Sequence, residues 1–275
     1  MSPLYSYVRS GKEFVEGWFA RVDSEIFYEL LLFQNEIHVD YAVAEIGVHH
    51  GKSFIALCLA LRDEQNAYAI DLFDAQEHNL DRSGRGNREA FLNNLKAFAI
   101  RQDQFVIDAR PSNEVSTGDI LNRVGMVRFF SVDGGHWREI VINDLRLAES
   151  VLADAGVIAL DDFLRQEWPD VSLGFFEWYE NSNKEIVPFA IGFNKLYLCK
   201  RPYVSRYQNR LEQSAFLQCF LKKHYEFCHV RIPVFQSFNL PESGLRERAR
   251  NYLKLYHPDF YVTLSRLRLK LRAEV

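Results

Sequence analysis

The feature that most constrains the fold is a nine-residue stretch with two glycines, Glu45-Ile-Gly47-Val-His-His-Gly51-Lys-Ser53. A short apolar run precedes it at residues 41–44, and a second apolar segment follows it. This order predicts a strand, a glycine turn and a buried helix. Glycines let a backbone come close to a ligand, and the first N–H groups of a helix are free to bind polar atoms. The stretch therefore predicts an α/β fold with a ligand at the turn.

A second acid indicates which kind of ligand this is. Residues 68–70 predict another strand, and it ends in Asp71, 24 residues after Gly47. An acid at that spacing commonly accepts hydrogen bonds from ribose hydroxyls. The dinucleotide fingerprint is broken because His49 stands at its second glycine, and a Walker loop needs one more residue between its glycines. We therefore expect a nucleoside cofactor that is neither a dinucleotide nor a nucleoside triphosphate.

Strands and helices alternate through the first 200 residues. Further strands are predicted at 104–107, 127–132 and 156–160, helices at 11–35, 91–98 and 145–152, and a closing hairpin at 189–199. This alternation predicts a mostly parallel sheet covered by helices on both faces. The long polar loop at residues 73–89 is expected to act as a lid.

Two of these strands are followed by acids. One leads into Asp133-Gly-Gly-His136, and the next leads into the pair Asp161-Asp162. Because the carboxyl ends of parallel strands share one edge of a sheet, the three carboxylates are expected to converge beside the cofactor. Carboxylates in one crevice repel one another unless a cation lies among them, and oxygen ligands suit Mg²⁺, Ca²⁺ or Mn²⁺. The pattern predicts a divalent cation, Mg²⁺ in the first place, on Asp133, Asp161 and Asp162.

The glycine turn and the two acidic strand ends together resemble the class I S-adenosylmethionine-dependent methyltransferases. They are most similar to the macrocin O-methyltransferase-like branch, which acts on sugars, and to the metal site of catechol O-methyltransferases. The resemblance implies a doubly wound, Rossmann-like methyltransferase sheet with N-terminal helices and a mostly helical, basic C-terminal extension. It also implies contacts to S-adenosylmethionine from Glu45, Gly47, Gly51, Ser53, Asp71, Ser112 and Asp133.

The implied reaction is methyl transfer to a hydroxyl of a small molecule, a saccharide, a glycoside or another polyhydroxylated compound. A metal ion would bind that hydroxyl and lower its pKa. The sugar enzymes often carry a second acid, proposed as the base, where this chain has Gly135. His136 stands where catechol enzymes place a catalytic lysine, and an imidazole suits proton removal near neutral pH. We therefore expect His136 to be the catalytic base.

Charge divides the chain into regions. Residues 201–275 carry 14 Lys/Arg and 6 Asp/Glu, a net charge of +8, whereas residues 1–200 carry a net charge of −12. We predict an N-terminal helical lead-in at 1–40, a cofactor-binding methyltransferase domain at 41–200 and a basic extension at 201–275. The extension is expected to dock on the acidic part of the chain as an amphipathic helical segment.

Composition limits location and partners. No apolar run of about 18 residues occurs, so no membrane span is expected. The N-terminus lacks a signal-peptide pattern, and the four cysteines form no C-x-x-C pair, which favours a cytoplasmic protein with reduced thiols. We expect a small-molecule acceptor and not nucleic acid. The sequence leaves a homo-oligomer open.

Two alternatives keep the predicted fold. In the first, the methyltransferase needs no metal, and His136 alone deprotonates the acceptor. In the second, the chain is a non-catalytic S-adenosylmethionine-binding module, which Gly135 in place of a second acid supports.

Overall fold

The computed structural model describes residues 2–75, 77, 79, 83–236, 252–254 and 256–264. The strands are β1 (Ala42–Ile46), β2 (Ala67–Ile70), β3 (Phe105–Asp108), β4 (Val127–Val132), β5 (Leu152–Leu160), β6 (Ile186–Ile191), β7 (Leu196–Lys200), β8 (Leu221–Phe227) and β9 (Val230–Phe235). The α-helices before β8 are α1 (Pro3–Arg9), α2 (Arg21–Glu36), α3 (Phe54–Leu59), α4 (Arg88–Ala97), α5 (Thr117–Val124), α6 (Arg138–Val151), α7 (Pro169–Asn181), α8 (Val204–Gln213) and α9 (Ala215–Gln218).

The strands form one sheet in the order β3-β2-β1-β4-β5-β7-β6-β9-β8. The first five are parallel, and β7 then pairs antiparallel with β5. The chain order reverses between β1 and β4, which is where open α/β sheets bind ligands, beyond the carboxyl ends of the strands. The predicted doubly wound, Rossmann-like sheet is confirmed.

The central strands of the sheet are buried on both faces because helices cover each face. All five residues of β1 are buried. Phe27 of α2 and Ile55 of α3 belong to the hydrophobic core on one face, while Leu145 of α6 and Phe175 of α7 belong to the core on the other. Such double burial explains why β1 reads as a nearly continuous apolar run.

The chain after residue 200 adds more strand than the sequence predicts. Helices α8 and α9 are followed by the hairpin β8–β9, and β9 lies beside β6 in the sheet. The residues of β8 are mostly exposed, so its sequence lacks the alternation of apolar and polar residues that would predict a strand. Arg210 of α8 forms ion pairs with Glu29 and Glu36 of α2, at 2.9 and 3.0 Å. This basic helix therefore docks on an acidic face of the core.

Two helices, α5 and α7, have no counterpart among the predicted elements, and α6 begins seven residues before the predicted helix at 145–152. Of the predicted lid at 73–89, residues 76, 78 and 80–82 lie outside the described residues. Among the helices that the structure describes, none has the length and apolar character needed to cross a membrane.

Candidate functional site

Four strand ends stand level with one another at one edge of the sheet. Ile46 of β1 pairs with Ile70 of β2 and with Val132 of β4, and Val132 pairs with Leu160 of β5. The residues that follow these four are Gly47, Asp71, Asp133 and Asp161. The sheet register thus places the predicted cofactor acid in the same row as two of the predicted metal ligands.

A cavity of about 710 Å³ opens beside this row, between the ends of β1, β2, β4 and β5. Its volume lies within the range of small-molecule sites. The predicted site residues that line it are Gly47, Asp71, Ser112, Asp133, His136, Asp161 and Asp162. The walls also include Trp18, Trp137 and Trp168, so the cavity combines carboxylates with large aromatic faces.

Gly47 is required by the packing of the turn itself. Its φ is +80°, and a Cβ atom there would lie 1.6 Å from the carbonyl oxygen of Asp133. A side chain at this position would push the β1 turn away from the end of β4. Glycine at position 47 therefore allows the turn after β1 to pack against the end of β4.

Three predicted cofactor contacts, Glu45, Gly51 and Ser53, do not line the cavity. Gly51 has a φ of +89° and packs against the Phe91 ring, which a Cβ would meet at 3.1 Å. Glu45 is fully buried, and neither of its carboxylate oxygens has a hydrogen bond in the described part of the chain. Burial raises the pKa of Glu45 to about 7. These three residues therefore support the packing around the turn, and their predicted contact with the cofactor stays a prediction.

Asp71 is held rigidly at the end of β2. Its Oδ2 accepts a hydrogen bond from the His49 backbone N–H at 2.7 Å, and its Oδ1 accepts one from the Phe73 backbone N–H at 2.6 Å. Each oxygen keeps further acceptor capacity, as a carboxylate accepts about four hydrogen bonds. Burial raises the pKa of Asp71, and the two N–H groups oppose that rise. The carboxylate is thus oriented before any ligand binds.

His136 and Asp162 form a pair on the opposite wall of the cavity. The Nε2 atom of His136 lies 2.9 Å from Oδ2 of Asp162, and its Nδ1 lies 3.3 Å from Oγ of Ser83. The imidazole stacks on the Trp168 indole with the ring centroids 4.1 Å apart. Oδ1 of Asp162 accepts a hydrogen bond from the Asn194 side-chain amide at 3.3 Å. These contacts fix both the plane and the direction of the imidazole ring.

Asp161 is turned toward a buried lysine. The Nζ atom of Lys195 lies 2.5 Å from Oδ2 of Asp161 and 3.9 Å from Oδ2 of Asp133. Burial alone would raise the pKa of Asp161, but the ammonium beside it holds that pKa below its usual range. Burial and the charge of Asp161 raise the pKa of Asp133 well above its usual range. A cation from the protein itself therefore already lies between two of the three predicted metal ligands.

The predicted ligand set must be corrected for this reason. Among the described residues, the donor atoms that converge are those of Asp133, His136 and Asp162, which lie within 4.8 Å of one another. Asp161 is not in this set, since its carboxylate is paired with Lys195. All three predicted carboxylates line the cavity, but among the described residues only Asp133 and Asp162 belong to the set whose donor atoms converge.

Sequence reasoning missed the residues that support the site from the β6–β7 turn. Lys195 and Asn194 belong to this turn, and Asp23 of α2 lies behind it. The only sequence signal is a lone lysine at the start of the apolar run that forms β7. A charged residue at that point could have been recognised as a buried partner for an acid.

Comparisons with known proteins agree with this fold. Residues 44–163 match a family profile described as a methyltransferase domain. The O-methyltransferase NovP superposes with a TM-score of 0.55 at 14% identity, over 64% of this chain and 78% of NovP. A protein from Klebsiella pneumoniae, to which O-methyltransferase activity is attributed, gives a TM-score of 0.51 at 13% identity, over 72% of this chain and 89% of its own. A search of curated proteins found no match.

Proposed function

We propose that this protein, whose residues 44–163 match a family profile described as a methyltransferase domain, is a class I S-adenosylmethionine-dependent methyltransferase that methylates a hydroxyl oxygen of a polyhydroxylated small molecule. The observation that carries this proposal is that one cavity is lined both by Asp71 and by the pair His136–Asp162. A cofactor acid and a proton acceptor facing the same space are what methyl transfer to an alcohol requires.

The cofactor half of the cavity fits a nucleoside. Asp71 is oriented by two backbone N–H groups and keeps acceptor capacity for ribose hydroxyls. The turn at Gly47 lines the cavity with its backbone, and so does Ser112, which begins a short 3-10 helix after β3. When bound, S-adenosylmethionine supplies a methyl group on a positively charged sulfur, ready for direct displacement by an oxygen nucleophile.

The acceptor half fits a saccharide or glycoside. The indoles of Trp18, Trp137 and Trp168 offer flat apolar surfaces, and the neighbouring carboxylates and the Asn194 amide offer hydrogen bonds to hydroxyls. A sugar ring presents both kinds of surface at once. This supports the predicted acceptor class, and the cavity volume of about 710 Å³ suits a small-molecule acceptor.

The acceptor hydroxyl must lose its proton as the new C–O bond forms, and we assign that proton to Nδ1 of His136, because Nε2 faces the Asp162 carboxylate. Asp162 holds the imidazole and stabilises the positive charge that it gains. The products are then the methyl ether, S-adenosylhomocysteine and one proton, which passes from the imidazolium to water. In this proposal the pair acts as the base without a metal ion.

A second candidate mechanism uses a divalent cation, and the convergence of Asp133, His136 and Asp162 favours it. These residues offer two oxygen donors and one nitrogen donor to a single ion. A bound Mg²⁺ or Mn²⁺ would lower the pKa of the acceptor hydroxyl. His136 would then serve as a ligand, so the two mechanisms exclude each other, and loss of turnover in a chelator would favour the second.

Cofactor binding is the first test. Calorimetric titration of S-adenosylhomocysteine into the wild type should show a saturable site, and Asp71→Ala should weaken it strongly. Absence of binding by a folded wild type would contradict the proposal. Cofactor binding without methyl transfer to any sugar or glycoside acceptor would support the alternative of a non-catalytic binding module.

A further inference from the structure

We propose that Lys195 is a resident cation that takes the position a divalent metal ion would otherwise hold between Asp133 and Asp161, so that the charge of Asp161 is balanced by the protein itself and Asp161 is not a metal ligand. This inference rests on the proposed function, because it concerns the same site. It states that a side chain of the protein balances the negative charge of the carboxylates there. Lys195 is a positioning residue here, since it acts on the carboxylates and does not line the cavity.

The burial of Lys195 shows that its ammonium group belongs to this cluster. The residue is 2% exposed, and its Nζ lies 2.5 Å from Asp161 and 3.9 Å from Asp133. Taking an ammonium group out of water is strongly unfavourable unless carboxylates pair with it closely. The two acids that follow β4 and β5 provide that pairing.

The sheet register brings Lys195 to this place. Leu160 of β5 pairs with Leu196 of the antiparallel strand β7. One residue beyond Leu160 is Asp161, and one residue before Leu196 is Lys195, so the antiparallel geometry sets these two side by side. The contact is therefore built into the strand pairing and does not depend on a flexible side chain finding its partner.

A buried acid from α2 holds the turn that carries Lys195. Asp23 is fully buried and accepts hydrogen bonds from the Phe193 N–H at 3.2 Å, the Asn194 N–H at 3.3 Å and the Tyr197 hydroxyl at 2.9 Å. The same turn directs the Asn194 side-chain amide to Asp162. Lys195 thus fixes Asp161, while its neighbour Asn194 fixes the carboxylate that orients His136.

One consequence distinguishes this role from a merely structural one. If the ammonium replaces a metal ion, removing it should release Asp161 and create a metal site on Asp133, Asp161 and Asp162. Lys195→Met keeps the apolar stem and removes only the charge. We expect Lys195→Met to bind Mn²⁺ at least about tenfold more tightly than the wild type, since an added carboxylate ligand raises affinity for a hard cation.

The experiment is a titration of Mn²⁺ into the full chain, without cofactor or acceptor. Binding is measured by calorimetry and by the electron paramagnetic resonance of the ion. The matched control is the double variant Lys195→Met with Asp161→Asn, which lacks both charges and should bind no more Mn²⁺ than the wild type. Equal binding by the wild type and folded Lys195→Met would overturn the proposal.

A second measurement does not depend on the folding of Lys195→Met, because it compares Mn²⁺ binding by the wild type and by Asp161→Asn. We expect Asp161→Asn to leave Mn²⁺ binding unchanged, since Asp161 is not a ligand while Lys195 holds it. Saturable binding by the wild type that Asp161→Asn abolishes would overturn the proposal. Because these titrations contain neither cofactor nor acceptor, a failure here is separate from a failure of the methyl-transfer assay.

Discussion

The imidazole of His136 and the carboxylate of Asp162 lie 2.9 Å apart at the ends of the neighbouring strands β4 and β5. Asp162 has a φ of +52°, a left-handed conformation that aspartate tolerates better than most residues. Backbone strain of this kind is kept where the surrounding structure fixes it, and it often marks a functional position. The pair lines the same cavity as Asp71, the predicted cofactor acid, so its position fits the proposed proton transfer.

The first prediction concerns this pair. His136→Gln and Asp162→Asn should each lower kcat by about 10²- to 10⁴-fold, the usual contribution of a positioned base. If the two act as one unit, the double variant should lose little more than either single variant. Steady-state kinetics on all three variants measures this. Losses that multiply would show that the residues act separately.

Asp71 should control cofactor affinity. Asp71→Asn removes the charge that strengthens hydrogen bonds to the ribose, and charged hydrogen bonds contribute about 1.5–3 kcal/mol each. We expect the Kd for S-adenosylhomocysteine to rise by about 10- to 100-fold. Asp74→Asn is the matched control, because Asp74 is an exposed acid outside the cavity. Equal Kd values for the two variants would argue against the ribose assignment.

Gly47→Ala should be far more damaging than Gly125→Ala. Both glycines have φ near +80°, but a Cβ at Gly125 meets nothing within 4 Å, whereas one at Gly47 meets the Asp133 carbonyl oxygen at 1.6 Å. The positive φ alone should cost about 1–3 kcal/mol. Urea denaturation should show that cost for Gly125→Ala and a loss several kcal/mol larger, or no folded protein, for Gly47→Ala. Equal losses would mean that the turn does not pack on β4 as described.

Glu45 should make stability fall as pH rises. Its pKa is raised by burial from 4.5 to about 7, so the folded state holds the proton more tightly than the unfolded state. The stabilisation is complete below the unfolded pKa and is lost as pH rises through about 7. This shift corresponds to roughly 3 kcal/mol.

We therefore expect the free energy of unfolding of the wild type to fall more between pH 5 and pH 8 than that of Glu45→Gln. Urea denaturation at both pH values measures the difference, and the exposed Glu89→Gln should behave like the wild type. Parallel pH profiles for the wild type and Glu45→Gln would contradict the assignment.

Much of the fold follows from local sequence patterns. The strand, glycine turn and helix around Gly47 and the acids at Asp71 and Asp133 are read from apolar runs and turn residues. Parallel strand ends share one edge, so the row of site residues also follows from the sequence. These features depend on neighbours within a few residues or on one general rule of sheet geometry.

The pairing of Lys195 with Asp161 could not be predicted in the same way. It depends on the register between β5 and β7, which a single sequence does not specify. The prediction of three metal-binding carboxylates therefore did not include the ammonium group of Lys195, which balances the charge of Asp161. The strand β8 was missed because its mostly exposed residues carry no alternating apolar pattern.

The most direct measurement is transfer of a labelled methyl group from S-adenosylmethionine to a panel of sugars and glycosides, in the presence of a strong chelator. We predict that the wild type forms a methyl ether under these conditions and that His136→Gln, although it binds S-adenosylhomocysteine normally, forms about 10²-fold less or lower. Turnover that requires added Mg²⁺ or Mn²⁺, or turnover that survives in His136→Gln, would contradict His136 as a metal-free base.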